Sequence, residues 1–180
     1  MNHKDTNVLG LAGYSGTGKT TLLKQIIPLL KKRGLRVGLI KKSHHDFEID
    51  KPGKDSYELR MAGASPVMLS SSHRRAIITE HEAVRERSLA EELSFFDQSG
   101  VDIILVEGFK SERFPKIELH RPSLGKPLLY PADTSIIAIA TDGILPDEPG
   151  IPQFDINSPK PISDFILDFL LRHGMSRPMC

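Results

Sequence analysis

Cysteine is almost missing from this chain: Cys180, the final residue, is the only one. That excludes an internal disulfide framework and fits a reducing compartment, with the terminal thiol read as an exposed group without a role. Neither sign of charge is in excess, since 24 lysines and arginines face 23 aspartates and glutamates for a net charge of +1. Without a global field to draw in nucleic acid or a membrane surface, neither is expected as a partner. No apolar run approaches the ~20 residues of a membrane span. Residues 1–6 are polar with no apolar signal segment behind them, so a cytoplasmic location is expected. No internal repeat or second-domain boundary is visible. The 180 residues suit one compact domain, with residues 1–6 and 175–180 expected as flexible tails.

What is present is concentrated in Gly13-Tyr-Ser-Gly-Thr-Gly-Lys-Thr-Thr21. Gly13, Gly18, Lys19 and Thr20 satisfy the phosphate-binding pattern Gly-x-x-x-x-Gly-Lys-[Ser/Thr]. Glycines at 13, 16 and 18 permit turns closed to residues with a Cβ, so consecutive backbone N–H groups can point at an anion. The candidate cradle is Gly13, Ser15, Gly16, Thr17, Gly18, Lys19, Thr20 and Thr21. Lys19 can set its ammonium beside the β- and γ-phosphates, and the Thr20 hydroxyl can ligate Mg²⁺. The flanks agree: Val8 to Ala12 reads as a buried strand, and Thr20 to Lys32 as a helix whose positive end faces the phosphates.

Along the rest of the chain, Pro28 is expected to bend the first helix, Gly34 to stop it, and Leu35 to Ile40 to form a second buried strand. A strand–helix–strand unit of this kind implies a right-handed crossover in a parallel sheet. Asp55 to Gly63 reads as a short helix, and Pro66 to Ser71 with Arg74 to Thr79 as two strands able to pair as a hairpin. Ala83 to Gln98 carries helical spacing, Pro115 to Arg121 reads as an edge strand, and Ser135 to Ala140 and Ile151 to Phe154 as further strands. Ile162 to Arg172 closes the chain as a helix. The expected fold class is therefore α/β: a P-loop NTPase-type three-layer fold whose mostly parallel sheet is flanked by helices, with some antiparallel edge strands.

Val101 to Gly108 is the second informative stretch, an apolar strand that ends in Glu107. A strand next to a phosphate loop ends this way when its terminal carboxylate holds Mg²⁺ or its waters, so Glu107 joins Lys19 as a candidate catalytic residue and Thr20 as a candidate metal ligand. Asp102, at the other end, is read as structural, and Gly108 as a point where backbone passes close to phosphates. The polar segment from Lys41 to Lys54 holds His44, His45, Asp46, Glu48 and Asp50. Adjacent histidines without cysteine or a His-x-x-x-His spacing argue weakly for zinc or nickel, and the favoured reading has Asp46 or Asp50 reaching Mg²⁺. Lys110, Arg113, Lys116 and Arg121 fit either an anionic second substrate or a solvated face.

Taken in order, several stretches resemble the MobB family of molybdenum cofactor biosynthesis. They are the Gly13 to Thr21 loop, Lys41-Lys-Ser-His-His-Asp46, Asp50-Lys-Pro-Gly-Lys-Asp-Ser56, Val106-Glu-Gly-Phe-Lys110, Pro115-Lys-Ile-Glu118 and Asp155-Ile-Asn157. The resemblance implies a homodimeric GTP-binding protein with weak GTPase activity that assists the MobA-type guanylyltransferase attaching GMP to molybdopterin, with molybdopterin itself a further candidate ligand. The Asn-Lys-x-Asp motif by which many GTPases read guanine is absent, the asparagines being Asn2, Asn7 and Asn157. Asp142 or Asn157, both after late strands, are the candidates for that role. A small-molecule kinase using Arg74, Arg75, Arg113 or Arg121, a metal-delivery GTPase using His44 and His45, and a scaffold whose nucleotide state controls association with a partner enzyme remain as alternatives.

Overall fold

The computed structural model describes residues 7–43 and 47–173; His44, His45, Asp46 and Cys180 therefore lie outside the described residues. Two compact units form, one from residues up to Lys42 together with those from Ser88 onward, the other from Ser43–Arg87.

The first unit is a six-stranded sheet. In chain order its strands are β1 (Asn7–Ala12), β2 (Val37–Lys41), β5 (Ile103–Glu107), β6 (Lys116–His120), β7 (Ile136–Thr141) and β8 (Gln153–Asp155). Across the sheet they run β2-β5-β1-β6-β7-β8, and every pairing is parallel. All six carboxyl ends therefore lie along one rim. The antiparallel strands expected at the sheet edges belong instead to the other unit.

Alternation along each strand sends apolar side chains to both faces, as a sheet covered on two sides requires. Leu9, Leu11, Ile103, Leu105, Ile117 and Leu119 meet helices α1 (Lys19–Lys32) and α4 (Pro159–Arg172) through Leu22, Ile26, Leu30, Ile162, Ile166 and Leu170. Each such side chain contributes about 1.5–3 kcal/mol by leaving water. On the opposite face Ile104 and Val106 pack with Phe109 and with Leu89 of α3 (Leu89–Phe95). Asp102 is structural, receiving both the guanidinium of Arg36 (2.8 and 3.0 Å) and its backbone N–H (2.8 Å). Pro28 sits inside an uninterrupted α1.

Two expectations change. The helix expected over Ala83 to Gln98 is confined to α3, because Ser88 accepts from the Glu91 N–H while the Glu91 carboxylate accepts from the Ser88 N–H, a reciprocal cap that starts the helix there. Val84 is fully exposed outside it. Pro115 to Arg121 is not an edge: β6 lies between β1 and β7 and all five of its residues are buried. Parallel neighbours on both sides, which local patterning does not reveal, put it there.

The second unit contains α2 (Asp55–Met61) and an antiparallel hairpin of β3 (Val67–Ser70) and β4 (Arg75–Ile78), closed by a turn in which the Ser71 N–H donates to the Arg74 carbonyl at 2.9 Å. Arg60 bridges Glu48 at 2.7 Å and also pairs with Glu80. None of its described residues is buried.

Candidate functional site

Backbone shape fixes the loop first. Gly13, Gly16 and Gly18 all have positive φ, at 152°, 84° and 96°. A Cβ on Gly13 would also come within 2.6 Å of the Leu119 carbonyl and 2.9 Å of Thr17 Oγ1, so a side chain there is doubly excluded. Thr17 is buried and its hydroxyl donates to the Tyr14 carbonyl at 2.9 Å, tying the loop to itself. Ser15, Thr20 and Thr21 are exposed at its rim and at the start of α1.

Lys19 folds back over the loop, its ammonium donating to the carbonyls of Gly13 (2.8 Å) and Tyr14 (2.9 Å). Partial burial draws its pKa below the ordinary lysine value; the Glu107 carboxylate opposes that shift, and the positive charges of Lys41 and Lys110 add to it. Glu107 ends β5, paired in register with Leu11 of β1 and with Lys41 of β2, whose ammonium lies 3.4 Å away. The Lys41 ammonium and the Glu107 carboxylate thus stand on neighbouring strands, at the same rim as the loop that follows β1. A Cβ on Gly108 would come 2.7 Å from Lys42 Cβ, so the glycine allows close packing between the end of β5 and the chain leaving β2.

The four basic residues grouped in the sequence separate. Lys110 lies over the Tyr14 ring at 5.3 Å. Lys116 is 1% exposed, with its ammonium on Asp133 (2.7 Å) and on the carbonyls of Lys110 and Glu112, so it faces no solvent and no incoming anion. Burial works against the Asp133 carboxylate, yet hydrogen bonds from Lys116 and Ser135 hold its pKa below the ordinary aspartate range. Two residues along β6, Glu118 accepts the backbone N–H groups of Leu129 and Tyr130, both at 2.8 Å, and burial pushes its carboxyl above the ordinary value. Lys116 and Glu118 thereby pin the connection between β6 and β7.

Arg121 is the residue whose place sequence reading missed. From the end of β6 its Nε donates to the Thr17 carbonyl at 3.1 Å, and its other arm pairs with Asp142 after β7. Asp142, expected as a ligand-binding residue, is thus engaged by an arginine beside the loop. A hollow of about 180 Å³ opens there, lined by Gly18, Thr21, Gln25, Arg121, Ile156 and Asn157. Gln25 carried no signal in the sequence, and Ile156 entered it only within Asp155-Ile-Asn157.

The group that fits Thr20 and Glu107 is a hard, oxygen-preferring cation: a hydroxyl and a carboxylate are both oxygen donors. No cluster of three or more His, Cys, Asp or Glu side chains able to hold a metal exists among the described residues. The third expected ligand, Asp46, lies outside them.

The parallel sheet, with a glycine-shaped loop between its central strand and a helix, defines an α/β protein of P-loop NTPase-like fold. Solved structures agree. A MobB protein homolog from Bacillus stearothermophilus superposes with a TM-score of 0.69 over 93% of this chain and 99% of that one at 22% identity. A crystal structure of molybdopterin-guanine biosynthesis protein B does so at 0.68, over 90% and 99%, at 25% identity. The family model MobB, molybdopterin guanine dinucleotide synthesis protein B, matches residues 8–142. The molybdopterin-guanine dinucleotide biosynthesis adapter protein of Escherichia coli (strain K12) is 46% identical over 168 residues, 93% of this chain and 95% of that one. Its namesake from Haemophilus influenzae is 46% identical over 164 residues, covering 91% and 89%. The chain belongs to the MobB family.

Proposed function

We propose that this protein is an adapter in molybdopterin-guanine dinucleotide biosynthesis that binds GTP with Mg²⁺ and hydrolyses it slowly, working in the cytoplasm as a homodimer beside a MobA-type guanylyltransferase. The adapter role is supported by the relatives that share nearly the whole chain. The observation that carries nucleotide binding is the Lys19 ammonium folded onto the Gly13 and Tyr14 carbonyls in the loop that follows β1, the strand whose Leu11 pairs with Glu107.

In this reading, the backbone N–H groups from Ser15 to Thr21 and the Lys19 ammonium hold the phosphates, and α1 adds its positive end. Thr20 and Glu107 would hold Mg²⁺, directly or through its waters. When bound, that ion neutralises charge developing on the phosphoryl oxygens. Lys19 stabilises the same charge from the loop side.

The homodimer draws support from the Ser43–Arg87 unit, where Leu59, Met61, Met68 and Ile77 are each more than half exposed. A lone two-stranded hairpin is marginal in water, and a second copy is the proposed cover. The test is a titration of GTP against ATP with Mg²⁺, repeated with the guanylyltransferase and molybdopterin present. Binding of GTP that is lost in Lys19→Ala is expected. Affinity equal to the parent in that variant would overturn the assignment.

A further inference from the structure

We infer that the hollow beside the loop is a base site in which the Arg121 guanidinium and the Asn157 side-chain carbonyl read guanine, with Asp142 positioning Arg121. This rests on the nucleotide-binding reading above and adds the chemistry of the base. The hollow touches the cradle at Gly18 and Thr21 and contains nothing from its Gly13–Tyr14 end, where Lys19 is bound. At about 180 Å³ it suits one flat ring system. Sites that enclose a whole drug-sized ligand begin near 300 Å³. Buried Leu22 and Ile156 give it an apolar wall.

Its cationic group is already oriented. Arg121 Nε is fixed on the Thr17 carbonyl and Nη1 on Asp142. Nη2 stands 3.5 Å from where a Cβ on Gly18 would be, and it has no hydrogen bond among the described residues. The Asp155 carboxylate accepts the Asn157 backbone N–H at 2.9 Å and the Ser158 hydroxyl at 2.8 Å, which fixes the turn that carries Asn157 to the hollow. Asn157 lines that hollow, and its side-chain carbonyl is an acceptor. A cationic donor and a neutral acceptor therefore line the same hollow, while Asp142 is spent on Arg121 and Asp155 on the 157–158 turn. Guanine offers O6 and N7 as acceptors and N1–H and N2–H as donors, a match to that pair; adenine's N6 amino group would face the guanidinium. The arrangement also accounts for guanine recognition without an Asn-Lys-x-Asp motif.

The test uses the full chain with Mg²⁺ and calorimetric titration of GTP, ITP, ATP and inorganic tripolyphosphate. The parent should prefer GTP to ATP by about tenfold or more. Asn157→Ala, at an exposed position that folding tolerates, should weaken GTP about tenfold, ITP (which lacks the 2-amino group) less, and ATP and tripolyphosphate little. Asp142→Asn and Arg121→Lys should each erode the GTP preference, and the double variant should be no worse than the weaker single. Equal affinity of the parent for GTP and ATP overturns the base assignment and leaves the phosphate cradle standing. So does a loss of tripolyphosphate binding in Asn157→Ala as large as the loss of GTP. A parent that binds none of the four ligands defeats the nucleotide reading itself.

Discussion

The sheet unit and the Ser43–Arg87 unit are built on opposite terms. In the sheet, β6 buries even a lysine and a glutamate, each supplied with partners: Asp133 and two carbonyls for Lys116, two backbone N–H groups for Glu118. In the other unit no described residue is buried, and Leu59, Met61, Met68 and Ile77 face outward. Buried charge is tolerated where hydrogen bonds are complete, and exposed apolar surface persists where another molecule is available to cover it. One unit is finished by its own chain; the other is expected to be finished by a partner.

Breaking the sheet's internal pairing gives the largest expected effect. Asp133→Asn leaves the Lys116 charge buried without its counterion and should cost about 3–5 kcal/mol in urea unfolding. The parent's pH profile carries the same pair: with the Asp133 pKa depressed in the native state, its contribution is full above the ordinary aspartate range and is lost as pH falls through the lower native value. The variant should lack that acid-side loss; an unchanged acid limb would show that the pair does not govern it. Lys19→Ala removes charge-assisted contacts at the rim but no buried pair, so GTP affinity should fall about a hundredfold with the melting temperature nearly unchanged. Ser88→Ala removes the cap of α3 and should cost about 1 kcal/mol, read by the same urea titration.

The smallest effect on folding is expected from the second unit. Met68→Glu or Ile77→Glu should change the unfolding free energy of the sheet by no more than about 0.5 kcal/mol. In sedimentation the same variants should shift a dimer to monomer. A variant that unfolds the sheet and stays dimeric would erase the contrast between the units. Hydrogen exchange sharpens it further: amides of β3 and β4 should exchange faster than those of β1 and β5.

The loop and the strand before it were legible because their chemistry is local: glycine, lysine and threonine spacing states which backbone turns are allowed and which charge sits at the helix start. Glu107 was legible for a similar reason, as an acid ending an apolar run. Arg121 was not, because its bond to Thr17 spans 104 positions and depends on β6 lying beside β1. Lys116 misled because a lysine in a short strand looks solvated until Asp133 and the 110–112 backbone close around it. The helical spacing over Ala83 to Gln98 overstates α3, whose true start is set by the local Ser88 and Glu91 pair.

By itself the sequence determined the glycine-shaped loop with its lysine, the α/β alternation and family membership, since each rests on residue types at short spacing. Strand order was the work of the tertiary structure alone. Six parallel strands bring Lys19, Glu107, Arg121, Asp142 and Asn157 to one rim because every carboxyl end points the same way, and hydrogen bonding between distant segments, which no local pattern encodes, chooses which ends become neighbours.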